Sequence, residues 1–172
     1  MPMSTRASRG FTMVELLISL VVLTILLFMG VPLTMQWVRS SNQQAGQTLF
    51  VKGMAMAKSR TLRNSAGAQQ NEPAAFLLLS GGNVVCVQEA SYSTAASATN
   101  VPRTPGNSFS CSGSVWTGTL PSGTTGLLNN AATQCVALNN AGLPVSTTLG
   151  GTSCGTAASY QVSGMSSALT LN

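Results

Sequence analysis

A chain of 172 residues is long enough for one domain with a buried core, and too short for two ordinary domains plus a membrane anchor. Charged residues make up 6% of it, with three acids, Glu15, Glu72 and Glu89, and neither Asp nor His. That composition excludes most hydrolytic and metal chemistry, which draws on His, Asp and Glu, so no catalytic residue, metal site or cofactor is expected. With 44% hydrophobic residues and a formal net charge of +5, the composition is not that of a disordered chain.

The apolar content is concentrated near the start. Met1 to Gly10 carries Arg6 and Arg9 and no acid, and Phe11 to Val31 contains a single charged residue, Glu15. As a helix that run spans roughly 31 Å, the thickness of a bilayer's hydrocarbon core. Basic residues ahead of it favour keeping Met1 to Gly10 in the cytoplasm and exporting everything after Val31. Phe28-Met29-Gly30-Val31-Pro32-Leu33 has no A-x-A-like pair and the run continues to Trp37, so an ordinary cleaved secretory signal fits less well than a retained anchor.

The segment Arg9-Gly10-Phe11-Thr12-Met13-Val14-Glu15-Leu16-Leu17 resembles the class III signal of type IV pilins and type II secretion pseudopilins. The resemblance implies cleavage by a prepilin peptidase between Gly10 and Phe11, N-methylation of Phe11, and retention of the apolar helix. It makes Glu15 the family's signature acid and places Pro32 where many pilins have a helix-breaking proline. Physical chemistry leads to the same roles. A carboxylate inside a membrane segment costs roughly 2.5 to 3.5 kcal/mol and calls for a partner. The nearest cation is an N-terminal amine, the chain's own or a neighbouring subunit's, and the latter adds a staggered register. The competing reading is a carboxylate that snorkels to the cytoplasmic headgroups. Pro32 lacks a backbone donor and clashes with the preceding turn, so a kink or local melting is expected there, or a plain exit kink at the membrane surface.

Beyond Pro32 the pattern stays helical to about Asn64. Leu49, Phe50, Gly53, Met54, Ala57 and Thr61 fall on one face, with Lys52, Lys58 and Arg63 off it. Phe11 to Asn64 would make roughly 81 Å of helix if continuous. Ser65, Gly67 and Pro73 supply breakers, which puts the helix end between Arg63 and Gly67. Two β-prone runs, Phe76 to Leu79 and Val84 to Gln88, flank Ser80-Gly81-Gly82-Asn83 as a hairpin. A second hairpin joins Cys135 to Leu138 with Leu143 to Thr147, and Ser159 to Ser163 with Ala168 to Leu171 supply closing strands. Ser91 to Asn107 and Pro121 to Thr125 read as exposed loops. The expected class is α+β, a long N-terminal helix with a transmembrane first half, packed on a small antiparallel sheet, which also resembles the pilin fold. These readings divide the chain into a leader at 1–10, a transmembrane and assembly helix at 11–31, an amphipathic continuation at 32–64 and a β-rich head at 65–172.

Leu49-Phe50, then Met54-Ala55-Met56-Ala57-Lys58-Ser59-Arg60-Thr61-Leu62-Arg63-Asn64, then a hairpin ending in Val84-Val85-Cys86-Val87, is similar to the GspH/FimT family. That family holds the H-type minor pseudopilins and the FimT- and FimU-type minor pilins. Arg60 and Thr61 stand where its members often have Glu and Ala.

Cys86, Cys111, Cys135 and Cys154 all lie in the exported part, without a CxxC pair or a His to complete a zinc set. Two disulfides are expected in an oxidising compartment, with free buried thiols as the competing reading. Of the three pairings, sequential closure joins Cys86 to Cys111 and Cys135 to Cys154. Removing Arg6 and Arg9 with the leader lowers the net charge from +5 to +3, and beyond Arg63 only Arg103 is basic. Arg39, Lys52, Lys58, Arg60 and Arg63 read as a solvated helix face or a subunit interface ahead of a phosphate-binding surface. Trp116 and Tyr160 read as isolated aromatics, and Thr156 to Asn172 lacks the basic motif of DNA-binding relatives. Nucleic acid is therefore not an expected partner.

The resemblance implies a minor pilin, a structural subunit of a bacterial type IV pilus and not an enzyme. Its implied partners are other pilin subunits, the prepilin peptidase, the inner-membrane assembly platform and membrane lipid. The head would face the periplasm before assembly and then join the filament. The alternatives are an H-type minor pseudopilin of type II secretion, a major pilin, a DNA-binding competence pilin and a plain membrane-tethered periplasmic domain.

Overall fold

The structure is a computed structural model that describes residues 11–93 and 103–171. It has two compact units, Met1–Ser40 and Ser41–Asn172, and one helix, α1 (Met13–Arg63), contributes to both. Thr12 starts α1: its carbonyl accepts the amide of Leu16 at 3.2 Å, and its Oγ1 accepts the amide of Glu15 at 3.3 Å. Asn64 ends it in the left-handed region at φ 43°, which Asn tolerates better than most residues. Its side chain is held by Ala68, whose amide donates to Asn64 Oδ1 at 2.7 Å. The helix thus stops inside the expected window. Local melting at Pro32 does not occur, because α1 is helical through that position. One missing amide donor removes one helical hydrogen bond and leaves its neighbours in place.

The described side chains from Phe11 to Phe28 are all exposed, including Leu16, Leu17, Ile18 and Phe28. Among the described residues, no helix is long and apolar enough to cross a membrane. The side chains of Met29, Val31, Pro32 and Leu33 lie outside the described residues. What precedes them, Met13 to Phe28, makes about 24 Å of helix, short of the roughly 20 residues that a hydrocarbon core needs.

In the second unit the strands run in chain order β1 (Pro73–Ser80), β2 (Val84–Glu89), β3 (Trp116–Thr119), β4 (Gly126–Leu128), β5 (Gln134–Asn139), β6 (Pro144–Val145), β7 (Thr147–Leu149), β8 (Thr152–Cys154), β9 (Ser159–Val162) and β10 (Leu169–Thr170). The main sheet has the order β3-β2-β1-β5-β6, a second has β10-β9-β4, and β7 pairs with β8. All of these pairings are antiparallel. The first hairpin and the β9–β10 pair form as expected. The expected run Leu143 to Thr147 is divided instead, Pro144–Val145 closing on β5 and Thr147 opening β7. Strands β3 and β8 carry no pattern signal, being three or four residues long and rich in Gly, Ser and Thr, and β4, Gly-Leu-Leu, is too short to show an alternation.

Strand β1 is central and buried on both faces. Because side chains alternate, Leu77 and Leu79 join Phe50, Met54 and Ala57 of α1 in one apolar cluster. Phe76 and Leu78 join Cys86, Cys135, Ala137, Leu149 and Cys154 in another on the opposite face. The long helix therefore packs on one side of the antiparallel sheet, and the other side is covered by the cysteines and the loops they hold. The helix approaches closely at glycines: a Cβ on Gly53 would lie 2.9 Å from Leu77 Cδ1, and one on Gly126 would lie 2.8 Å from Phe50 Cζ. Phe50 also stacks on Tyr160 with ring centroids 5.0 Å apart. Tyr160 is thus a core residue and not an isolated aromatic, and Trp116 packs against the same cluster.

Candidate functional site

At the start of α1, Phe11 is 77% exposed and stands just ahead of the first helical residue. Gly10 lies outside the described residues. Thr12 is the N-cap and Glu15 the third helical residue, so Thr12-Met13-Val14-Glu15 has the spacing of a capping box. The Glu15 amide is satisfied by Thr12, and the Glu15 carbonyl accepts the Ser19 hydroxyl at 2.7 Å. A carboxylate in the first turn also complements the positive end of the helix dipole. The cap is legible in the sequence as a Thr three residues ahead of a Glu, a signal that reading Glu15 as a membrane carboxylate passes over. Pro32 stands within α1, with its side chain outside the described residues.

The four cysteines form two disulfides, Cys86–Cys111 and Cys135–Cys154, and no cysteine is free. Cys86 and Cys135 sit on β2 and β5, the two strands that flank β1, and pair across it with Leu78 from either side. Both disulfides thus lie on the face of the sheet that the helix does not cover. Each ties a loop back to the central strands, Cys111 the segment before β3 and Cys154 the β7–β8 pair.

The head also holds a polar clasp that sequence reasoning missed. Glu72 is 1% exposed and pairs with Arg103, the Nη2–Oε2 distance being 2.7 Å. Arg103 Nε donates to both carboxylate oxygens, its backbone amide donates to Oε1 at 2.7 Å, and its Nη2 also reaches the Gly67 carbonyl at 2.8 Å. The hydrogen bond from Arg103 holds the Glu72 carboxyl at about 2, against the upward push of burial. The guanidinium carbon lies 4.1 Å from the Tyr92 ring centroid, a cation–π contact. Burial, reinforced by the Glu72 charge, raises the Tyr92 hydroxyl to about 12, and that hydroxyl donates to the Pro73 carbonyl at 2.5 Å. The described ends of the expected loop Ser91 to Asn107 are held together, while 94–102 lie outside the described residues: Asn107 Oδ1 accepts the Ser91 amide at 2.7 Å, and its Nδ2 donates to the Glu89 carbonyl at 2.9 Å. One signal could have found the clasp, since Arg103 is the single cation beyond Arg63 and Glu72 one of only two acids there.

A second pair joins the end of α1 to β2. Arg60 Nη1 meets Glu89 Oε1 at 2.9 Å, and the Ser65 hydroxyl donates to Oε2 at 2.8 Å. The Ser65 hydrogen bond, with help from Arg60, lowers the Glu89 carboxyl below its ordinary value. Arg60 is therefore engaged inside the head, which removes it from the surface that phosphates would need. Among the described residues no group of His, Cys, Asp or Glu is placed to hold a metal ion.

The N-terminal geometry is that of a capped apolar helix with one acid in its first turn. Residues 5–31 match the prokaryotic N-terminal methylation motif. That motif supports a place in the type IV pilin and pseudopilin superfamily, a class of structural subunits, and the helix-on-sheet architecture agrees with the pilin fold. The motif, and not a match over the whole chain, is what implies interaction with other pilins and with the prepilin peptidase. No curated protein and no solved structure matches the chain.

Proposed function

We propose that the protein is a minor pilin of a bacterial type IV pilus, made as an inner-membrane precursor and then built into the filament or its initiating complex. The observation that carries this reading is the methylation motif at residues 5–31 on a long helix whose second half packs on an antiparallel sheet. In this reading Met1 to Gly10 is the leader, Phe11 the methylated first residue and Glu15 the acid that sets register against a neighbour's terminal amine. The region 11–31 anchors the precursor with its N-terminus in the cytoplasm, 32–64 carries the anchor into the head, and 65–172 faces the periplasm. The assembly platform in the inner membrane handles the processed subunit, which acts mechanically and without turnover. The GspH/FimT-like pattern from Leu49 to Val87 favours a minor subunit over a major one. An H-type pseudopilin shares every one of these features and differs in the machine it serves.

Mass spectrometry of the protein recovered from membranes tests the reading. A mature chain that begins with methylated Phe11 is expected. A chain that begins at Met1, or one cut beyond Val31, would overturn it. Recovery of the processed protein in sheared surface filaments is expected of a pilin, whereas retention in the envelope with secretion components would assign it to type II secretion.

A further inference from the structure

Trp37 is 74% exposed and lies on α1 between Met35 and Val38, which are 59% and 50% exposed, with Arg39 two residues on. The described residues contain two ion pairs, Arg60–Glu89 and Arg103–Glu72, and neither involves Arg39. Three large apolar side chains, Met35, Trp37 and Val38, are thus left exposed within about one turn of helix. The position along α1 supplies the reason. From Met13 to Trp37 the helix advances about 36 Å, while a bilayer has roughly 30 Å of hydrocarbon within 40 to 45 Å of total thickness. With Met13 at the cytoplasmic edge of the hydrocarbon, the opposite edge falls roughly 20 residues along, and Trp37 stands about one helical turn beyond it. That depth is the headgroup layer, where Trp is enriched because its ring is apolar and its N–H is a donor.

We infer that Trp37 and Arg39 form a lipid-headgroup anchor at the periplasmic face of the membrane, with the indole at the acyl–headgroup boundary and the guanidinium on phospholipid phosphates. The partner is the anionic phospholipid surface. Arg39 supplies the complementary charge and the planar fork that suits phosphate oxygens. The neighbouring residues fit that boundary: Met35 and Val38 offer apolar area to the acyl side, while Gln36, Ser40 and Ser41 suit the wet side. The anchor fixes how far the helix sinks before the subunit is extracted into an assembly. This inference rests on the membrane-anchored reading above.

The test places the full-length protein in phosphatidylethanolamine–phosphatidylglycerol vesicles whose lipids carry bromine either near the carbonyl end or near the methyl end of the acyl chain. The difference in tryptophan emission between the protein and its Trp37→Phe variant isolates Trp37 and leaves Trp116 untouched. Several-fold stronger quenching by the shallow bromines is expected. In an Arg39→Gln background the balance is expected to move toward the deep bromines, since the cation that holds the indole at phosphate level is gone. Strongest quenching by the deep bromines in the unaltered protein would overturn the inference and leave the membrane anchor standing. An unchanged profile in Arg39→Gln would overturn the role of Arg39. Absence of quenching at either depth, with the protein remaining outside the vesicles, would overturn both the inference and the anchor on which it rests.

Discussion

Arg103 reaches the Glu72 carboxylate at 2.7 Å with 10% of its own side chain and 1% of that of Glu72 exposed, which joins the end of one surface loop to the turn that leads into β1. Because the folded Glu72 carboxyl lies at about 2, below its ordinary 4.5, its contribution to stability is complete above about pH 4.5 and is lost as pH falls through about 2. Glu89, also lowered, acts in the same direction. Thermal unfolding followed across this range should show a midpoint that falls on acidification. A Glu72→Gln variant is expected to be less stable at neutral pH and to have a flatter acid limb. Equal slopes in the two proteins would remove Glu72 from the account.

Close packing of the helix on the sheet predicts a steep penalty at Gly126. A methyl group there would sit 2.8 Å from Phe50 Cζ and 2.9 Å from Cε2, and Phe50 is itself fully buried and stacked on Tyr160. Gly126→Ala should cost about 1 to 3 kcal/mol through overpacking, read as a lower urea midpoint with an unchanged slope. Gly67→Ala is the contrast: nothing lies within 4 Å of its Cβ, and the φ of 61° alone is strained, so about 1 kcal/mol is expected.

The disulfides close loops with sequence separations of 25 and 19. In the chain-entropy model each contributes about 3 kcal/mol, a large share of the stability of a head this rich in Ser, Thr and Gly. Peptide mapping without reduction should recover Cys86 linked to Cys111 and Cys135 linked to Cys154. Removing the second pair as Cys135→Ala with Cys154→Ala should lower the unfolding midpoint in denaturant, and crossed linkages in the map would contradict the fold.

Glu15 offers a test of assembly that is separate from folding. Its amide is capped by Thr12, and that bond uses the backbone, so Glu15→Ala keeps the helix start while removing the carboxylate. Membrane insertion and leader removal should persist, with insertion made easier by loss of a charge worth roughly 2.5 to 3.5 kcal/mol at a helix centre. Incorporation into sheared filaments should fall several-fold. Glu15→Lys should be worse, because it sets two cations together where the dielectric is low. Normal incorporation of Glu15→Lys would show that the carboxylate has no role in register.

Local rules alone determined the helix, its buried face and its end: the 3.6-residue spacing of Phe50, Met54, Ala57 and Thr61 needs one surface to pack on, and Asn64 with Gly67 supplies the left-handed stop. The β1–β2 hairpin is equally local, since Gly81 and Gly82 at φ 60° and 70° set its turn. Residue order also carried the methylation motif, because the peptide bond, the cap and the acid all fall within a few residues. Tertiary structure decided what depends on distant partners. Strands β3, β4 and β8 are too short to declare themselves, and they exist because β2, β9 and β7 offer them open hydrogen-bonding edges. Sequential closure already named the cysteine pairs that form, Cys86 with Cys111 and Cys135 with Cys154, but only the sheet shows that both lie on the face away from the helix. The Glu72–Arg103–Tyr92 clasp joins positions 31 residues apart and has no local signature, because only the folded head brings those groups within reach of one another.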